Sequence, residues 1–368
     1  MSHNWGINLM SSNMKKIVFV IVAVICFGSY SCSWLDNSKP QDLKNSLERS
    51  VDKINTAVGK ISASDGYQLI TGTDVTEKSG ISYTDSITMD LIKGIYSYQP
   101  DTTHQCNHNN SYKLFKKTGE SDSLIINMPN KLAFHPYYMD EYNRQFTMLK
   151  NDFTINASEY HCYYNWHGSF DYGLKAGLVL DSVDLGTMMV AQFVNGWNDQ
   201  QYISSFAFAE GYAINTLYQV GDSIIKEFSL TKDTDTLLSE SVLFIKNGTH
   251  HPERQYTLSI GNIDIKRTTG IDSVQVYLNG VLQKNAAAVI VDSTDTSDPT
   301  ICHQSRDILL TFDDGTTAKL SELLNPVLEQ LGEIVDSLRS MRFAKRVIDY
   351  VAFNIYYSRQ WFYYDMNH

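Results

Sequence analysis

The stretch Ser273-Val274-Gln275-Val276-Tyr277-Leu278-Asn279-Gly280-Val281-Leu282-Gln283-Lys284 decides the fold class. Two short runs of β-branched, aromatic and apolar residues flank Asn-Gly, the pair best suited to the two positive φ angles of a tight hairpin turn. The same grammar repeats on both sides of it. Gln255 to Ile260 and Asp264 to Arg267 flank a short turn; Ser223 to Leu230 and Leu237 to Ile245 flank Lys232-Asp233-Thr234-Asp235. Ile308 to Phe312 and Thr317 to Leu320 flank Asp313-Asp314-Gly315, and Tyr112 to Lys116 and Ser123 to Asn127 flank Thr118-Gly119-Glu120. Asp152 to Trp166 is a longer run dense in aromatic and β-branched residues. Consecutive hairpins without helical spacers imply antiparallel pairing, so residues from about 80 to 320 read as mainly antiparallel β sheet. Ser293 to Pro299 is polar, but the hairpins on either side of it read as parts of one sheet system.

Helical periodicity brackets this region. Leu43, Leu47, Val51, Ile54, Val58 and Ile61 recur at three- and four-residue steps, which predicts a helix over about 40–61. Pro40 stands at its tolerated first-turn position, and Gly66 is a stop signal. Leu323, Leu324, Val327, Leu328, Leu331, Ile334, Val335 and Leu338 predict a second helix over about 321–341, with Pro326 near its start. Phe343 to Tyr364 is apolar and aromatic enough to pack, and its spacing leaves helix and strand open. The expected fold class is therefore α+β, a mainly antiparallel β domain over 40–368 braced by terminal helices.

The first residues belong to a different physical regime. Met14-Lys15-Lys16 precedes the apolar run Ile17 to Phe27, which ends at Gly28-Ser29-Tyr30-Ser31-Cys32. Cations, a short apolar core and small residues, in that order, read as a secretory signal over 1–31. The run is about half the ~20 residues a spanning helix needs. Met14 is the natural start of that signal. Small residues just before a cysteine resemble the lipobox of bacterial lipoproteins, in the relaxed form of Bacteroidetes. Tyr30 and the missing upstream Leu depart from the strict pattern. The resemblance implies cleavage before Cys32, a lipid on that cysteine and an outer-membrane envelope location, on either the periplasmic or the surface side. Ser33 to Lys39 would then be a tether reaching only about 23 Å, at ~3.3 Å per residue.

Composition excludes several partners. The chain has 30 basic and 41 acidic residues, a formal net charge of −11, and loss of Lys15 and Lys16 would make it more acidic. No Lys/Arg cluster stands out, which argues against nucleic acid and against charge-driven docking on anionic lipid. Beyond Cys26 and Cys32, only Cys106, Cys162 and Cys302 remain. Three thiols allow one internal disulfide at most, so stability must come from burial.

Asp85-Ser86-Ile87, Asp122-Ser123-Leu124, Asp181-Ser182-Val183, Asp222-Ser223-Ile224, Asp235-Thr236-Leu237 and Asp272-Ser273-Val274 share one pattern. Asp and Ser favour turns and the apolar residue begins a strand, so most copies should mark strand starts. The tripeptide also resembles the O-glycosylation motif of exported Bacteroidetes proteins.

Two groups could carry chemistry. His104-Gln105-Cys106-Asn107-His108 places three ligand-type side chains on one face of an extended chain, an arrangement suited to Zn²⁺ or copper. His161-Cys162 and Cys302-His303 offer further donors, although strand alternation turns His161 and Cys162 to opposite faces. The second group is aromatic: Tyr137, Tyr138, Tyr160, Tyr163, Tyr164, Trp166, Trp197, Tyr202 and Tyr212. Exposed rings stack on sugars, with Tyr160, Tyr164, Trp166 and Trp197 the leading ligand-binding candidates; alternation sends about half of such residues into a core. Enzyme signatures such as a Gly-x-Ser-x-Gly elbow, His-Glu-x-x-His or a phosphate loop are missing. The expectation is an exported lipid-anchored protein with a non-catalytic ligand-binding or structural role. The alternatives are a glycan-binding protein or glycan hydrolase of the envelope, and an adhesin or pilus-type subunit.

Overall fold

The computed structural model describes residues 43–64, 67, 86–99, 115–129, 150–165, 168–196, 198–245, 253–269, 274–284, 286–293, 305–312, 314–324, 327, 330–331, 334 and 342–366. Its centre is an antiparallel meander in which each strand pairs with the next. The strands are β5 (Phe153–Tyr164), β6 (Ser169–Leu180), β7 (Val183–Asn195), β8 (Gln200–Phe208), β9 (Tyr212–Val220), β10 (Ser223–Lys232), β11 (Asp235–Ile245), β12 (Glu253–Ile260), β13 (Ile263–Thr268), β14 (Gln275–Leu278) and β15 (Val281–Leu282). The expected α+β, β-rich fold is present.

Turn chemistry sets the register. Asn279 and Gly280 both have positive φ, 51° and 76°, as the hairpin reading requires. Asp181 and Ser182 do the same between β6 and β7, at 46° and 70°. The Asp-Ser/Thr-apolar tripeptides at 122–124, 181–183, 222–224 and 235–237 each lead into a strand, so turn formation accounts for them.

One predicted hairpin is absent. β3 (Phe115–Gly119) and β4 (Leu124–Met128) do not pair, because β2 (Gly94–Tyr98) lies between them, antiparallel to β3 and parallel to β4. β2 alternates buried and half-buried residues, with Tyr96 and Tyr98 in the core, and so competes for the inner position. The short turn after Gly119 fixes proximity of β3 and β4 without fixing partnership. β1 (Ser86–Thr88) pairs with the far end of β5.

The sheet system is also not one sheet. β16 (Ala287–Ser293), β17 (Ser305–Thr311) and β18 (Thr317–Lys319) form a separate three-stranded sheet, joined to the large one by an isolated Val274–Ala288 bridge.

Helices cover one face. α1 (Leu43–Ala63) buries Leu43, Leu47, Ile54, Val58 and Ile61 and packs on β11, β12 and β13. Each such Leu, Ile or Val contributes about 1.5–3 kcal/mol by leaving water. The turn between β12 and β13 approaches α1 so closely that a Cβ on Gly261 (φ +59°) would lie 2.5 Å from Ser50 Oγ. The described residues among 320–334 are helical, with Leu324, Val327, Leu331 and Ile334 buried; 335–341 lie outside the described residues. Asp307 of β17 fixes the start of that segment, accepting from the Ser321 hydroxyl at 2.5 Å and the Ser321 N–H at 3.1 Å. Burial would raise the Asp307 pKa, but these bonds and the Ile308 N–H hold it below the usual carboxylate value. The aromatic tail resolves as helix: after the four-residue α2 (Met89–Ile92), α3 (Arg342–Met366) lies against α2, β1 and β5. The helices and strands of both sheets contribute to one contiguous core.

Candidate functional site

Strand alternation holds at Tyr160 to Cys162, and a bulge in β5 decides which face those residues take. Phe153, Ile155 and Ala157 face the core; the register then shifts between Ala157 and Glu159, after which Tyr160 and Cys162 face inward. His161 points to the opposite face. Its Nε2 lies 3.1 Å from Asp171 Oδ1, and its ring covers Gly173, where a Cβ would come within 2.2 Å of it. His161 and Cys162 are thus kept apart, as strand geometry dictates.

Tyr160 is not part of a solvent-facing platform. Its side chain is 3 % exposed, and its hydroxyl donates to Asp349 Oδ1 on α3 at 3.1 Å. Tyr172, opposite Cys162 on β6, donates to the same oxygen at 3.1 Å, and Lys345 reaches Oδ2 at 2.7 Å. The two tyrosine rings meet edge to face at 5.9 Å, and Lys345 Nζ lies 4.2 Å from the Tyr172 ring centroid. The carboxylate therefore gathers three donors and ties α3 to the sheet. Burial first, then the Asp349 charge, pushes both tyrosine hydroxyls well above their usual pKa. The same causes push the buried Cys162 thiol up to about 12, which keeps it from acting as a nucleophile near neutral pH.

The cross-strand register extends this row across the whole face. Beyond Cys162 and Tyr172 it passes through Gln192, Tyr202, Tyr218, Lys226, Val242, Tyr256 and Arg267, one residue from each successive strand. Its cover changes along the way. Tyr172 is sealed beneath α3; Tyr202 and Tyr256 pack against the core yet are half-buried; Tyr218 is 38 % exposed. Lys226 Nζ stands 5.7 Å from the Tyr218 ring centroid. One row further out, the Arg254 guanidinium lies 5.1 Å from the centre of the Phe244 ring, directly opposite it on β11. One row inward, Ser204 and Thr216 share a 2.6 Å hydrogen bond, and Glu240 accepts from the Tyr256 hydroxyl. Burial and then Glu240 raise the Tyr256 pKa.

No family model matches this chain, no curated protein matches it, and no solved structure matches it. Its chemistry has to be read from its own residues.

Of the leading aromatic candidates, Tyr164 is half-buried at the end of β5, opposite Phe170. Trp166, Trp197, Tyr137 and Tyr138 lie outside the described residues, as do Cys32, the His104–Cys106–His108 run, Cys302 and His303. Among the described residues no three His, Cys, Asp or Glu side chains converge as a metal site. Tyr202 was legible as an aromatic candidate. Tyr218, Tyr256, Lys226, Arg254 and Arg267 were not, because only the register between strands aligns them; within their own strands they are ordinary alternating residues.

Proposed function

We propose that this chain is an exported lipoprotein, held at the cell envelope by a lipid on Cys32, whose β domain binds a ligand without catalysis. The observation that carries the address is the order of Met14-Lys15-Lys16, the apolar run Ile17 to Phe27 and Ser29-Tyr30-Ser31-Cys32. The open end of the tyrosine row supports a binding role, since half-buried rings beside hydrogen-bonding side chains give adhesion at little entropic cost. The tether of 33–39 would present that face close to the bilayer. A hydrolytic reading asks for two free carboxylates facing each other across a cleft. Asp349 is held by Lys345 and two tyrosines, and Glu240 by Tyr256, so neither favours that reading. The ends of the large sheet favour a self-contained protein over a polymerising subunit. β3 carries Lys116 and Lys117, and β15 is only two residues long, both devices that discourage strand addition.

The test is metabolic labelling with an alkynyl palmitate analogue in a bacterial host. The full-length chain should take up label and fractionate with membranes, and Cys32→Ala should do neither. A purified product that retains Met1 and carries no lipid would defeat the proposal.

A further inference from the structure

We propose that the open end of the tyrosine row, from β8 to β13, binds a carboxylate-bearing polysaccharide. This rests on the reading of the domain as a binding module, and it names the ligand class. The row presents Tyr202, Tyr218, Lys226, Val242, Tyr256 and Arg267, one from each of β8 to β13, along one line. Five strand spacings of about 4.8 Å make that line roughly 24 Å long. A line of that length suits an extended polymer better than a compact small molecule. The rings are amphipathic and only partly covered, so a pyranose face can lie on them while its hydroxyls remain hydrogen-bonded.

The charge on this face runs against the charge of the molecule. The chain as a whole is −11. In the Tyr218 row and the row beyond it, the described charged side chains of β8–β13 on this face are Lys226, Arg254 and Arg267, all exposed. One row inward on the same face stands Glu240, exposed and accepting from the Tyr256 hydroxyl, so three cations face one anion here. Local positive charge within an acidic surface favours a polyanion at this face and disfavours one elsewhere. Lys226 and Arg254 each stand over a ring, so the cation is delivered beside the stacking surface. That pairing matches a uronate residue, which has an apolar ring face and a carboxylate at its edge. A nucleic acid would need a longer basic track than three cations supply.

The experiment is affinity electrophoresis of the purified full-length protein in gels containing polygalacturonate, alginate, dextran or single-stranded DNA. Retardation is expected with at least one of the two uronate polymers and not with dextran or DNA. Binding should weaken about tenfold between roughly 50 mM and 500 mM NaCl, because the cations are exposed. Tyr218→Ala should weaken it about tenfold, and Lys226→Gln with Arg267→Gln by a similar factor. Arg254→Gln provides an independent variant should the double variant fold poorly, with circular dichroism confirming the fold of each. No retardation by either uronate polymer, equal retardation by dextran or DNA, or variants that bind as the wild type does would each overturn the proposal. Palmitate labelling of Cys32 is untouched by any of these outcomes, so failure here is distinguishable from failure of the envelope assignment.

Discussion

Two ends of one cross-strand row carry the same residue type and do opposite things. At the β5–β6 end, Tyr160 and Tyr172 are sealed beneath α3 and share the Asp349 carboxylate. At the β8–β12 end, Tyr202 and Tyr256 keep their packing on the core but are only half-buried, and Tyr218 is exposed. The difference lies in the second layer. A tyrosine on a sheet becomes a structural anchor or a contact surface according to the helix laid over it, and the sheet alone decides neither.

The largest test of that contrast is Asp349→Ala. It removes the acceptor of two buried hydroxyls and the partner of Lys345, so a loss of about 3–5 kcal/mol is expected in urea denaturation. Tyr160→Phe and Tyr172→Phe should each cost only about 1 kcal/mol, since each removes a single neutral donor. A loss for Asp349→Ala no larger than either tyrosine variant would show that α3 is held by its apolar face alone.

Cys162 reports the same end kinetically. With its pKa pushed up to about 12 and its side chain buried, the thiol should react with a chromogenic disulfide at pH 8 on the order of a thousandfold more slowly than in the unfolded chain. In Asp349→Ala that protection should fall. Fast labelling of the folded wild type would mean that the cover over this end opens readily.

Asp307→Asn probes the other covering segment, beginning at Ser321, and should cost about 1–2 kcal/mol at neutral pH, as loss of a helix-start acceptor does. The Asp307 pKa is lowered on folding, so its contribution is fully present above the unfolded value of about 3.9 and is lost as pH falls through the lower folded value. The stability difference between wild type and Asp307→Asn should therefore be flat above about pH 5 and shrink on acidification below pH 4. A difference that grows on acidification would contradict the hydrogen-bond geometry.

Legibility in the sequence follows the range of the interactions. Asn279-Gly280 and the Leu43-to-Ile61 stripe are local instructions, and both are carried out. The β3–β4 hairpin that the sequence suggests does not form, because a remote segment, β2, takes the place beside β4. Nothing within residues 112–127 announces that competition. The fate of Tyr160 was equally remote, since its partner lies 189 positions away in a tail whose aromatic density fits either helix or strand. The open face was hidden for a further reason. Tyr218, Lys226 and Tyr256 become neighbours only through the register of β9 to β12, which no single strand encodes.

Tyr218→Ala is the smallest expected effect and the sharpest on the comparison. At 38 % exposure its ring is the most open of the row's tyrosines and stands outside the core, so its removal should change unfolding free energy by no more than about 1 kcal/mol. Tyr172→Ala, three strands away on the same row, should cost at least about 3 kcal/mol, because a fully buried ring leaves a cavity. If the two variants lost equal stability, the open end would be core like the sealed end, and the ring of Tyr218 would have no surface to offer a ligand. If Tyr218→Ala is silent in stability, the conformation that places its ring beside Lys226 is maintained for a purpose other than folding.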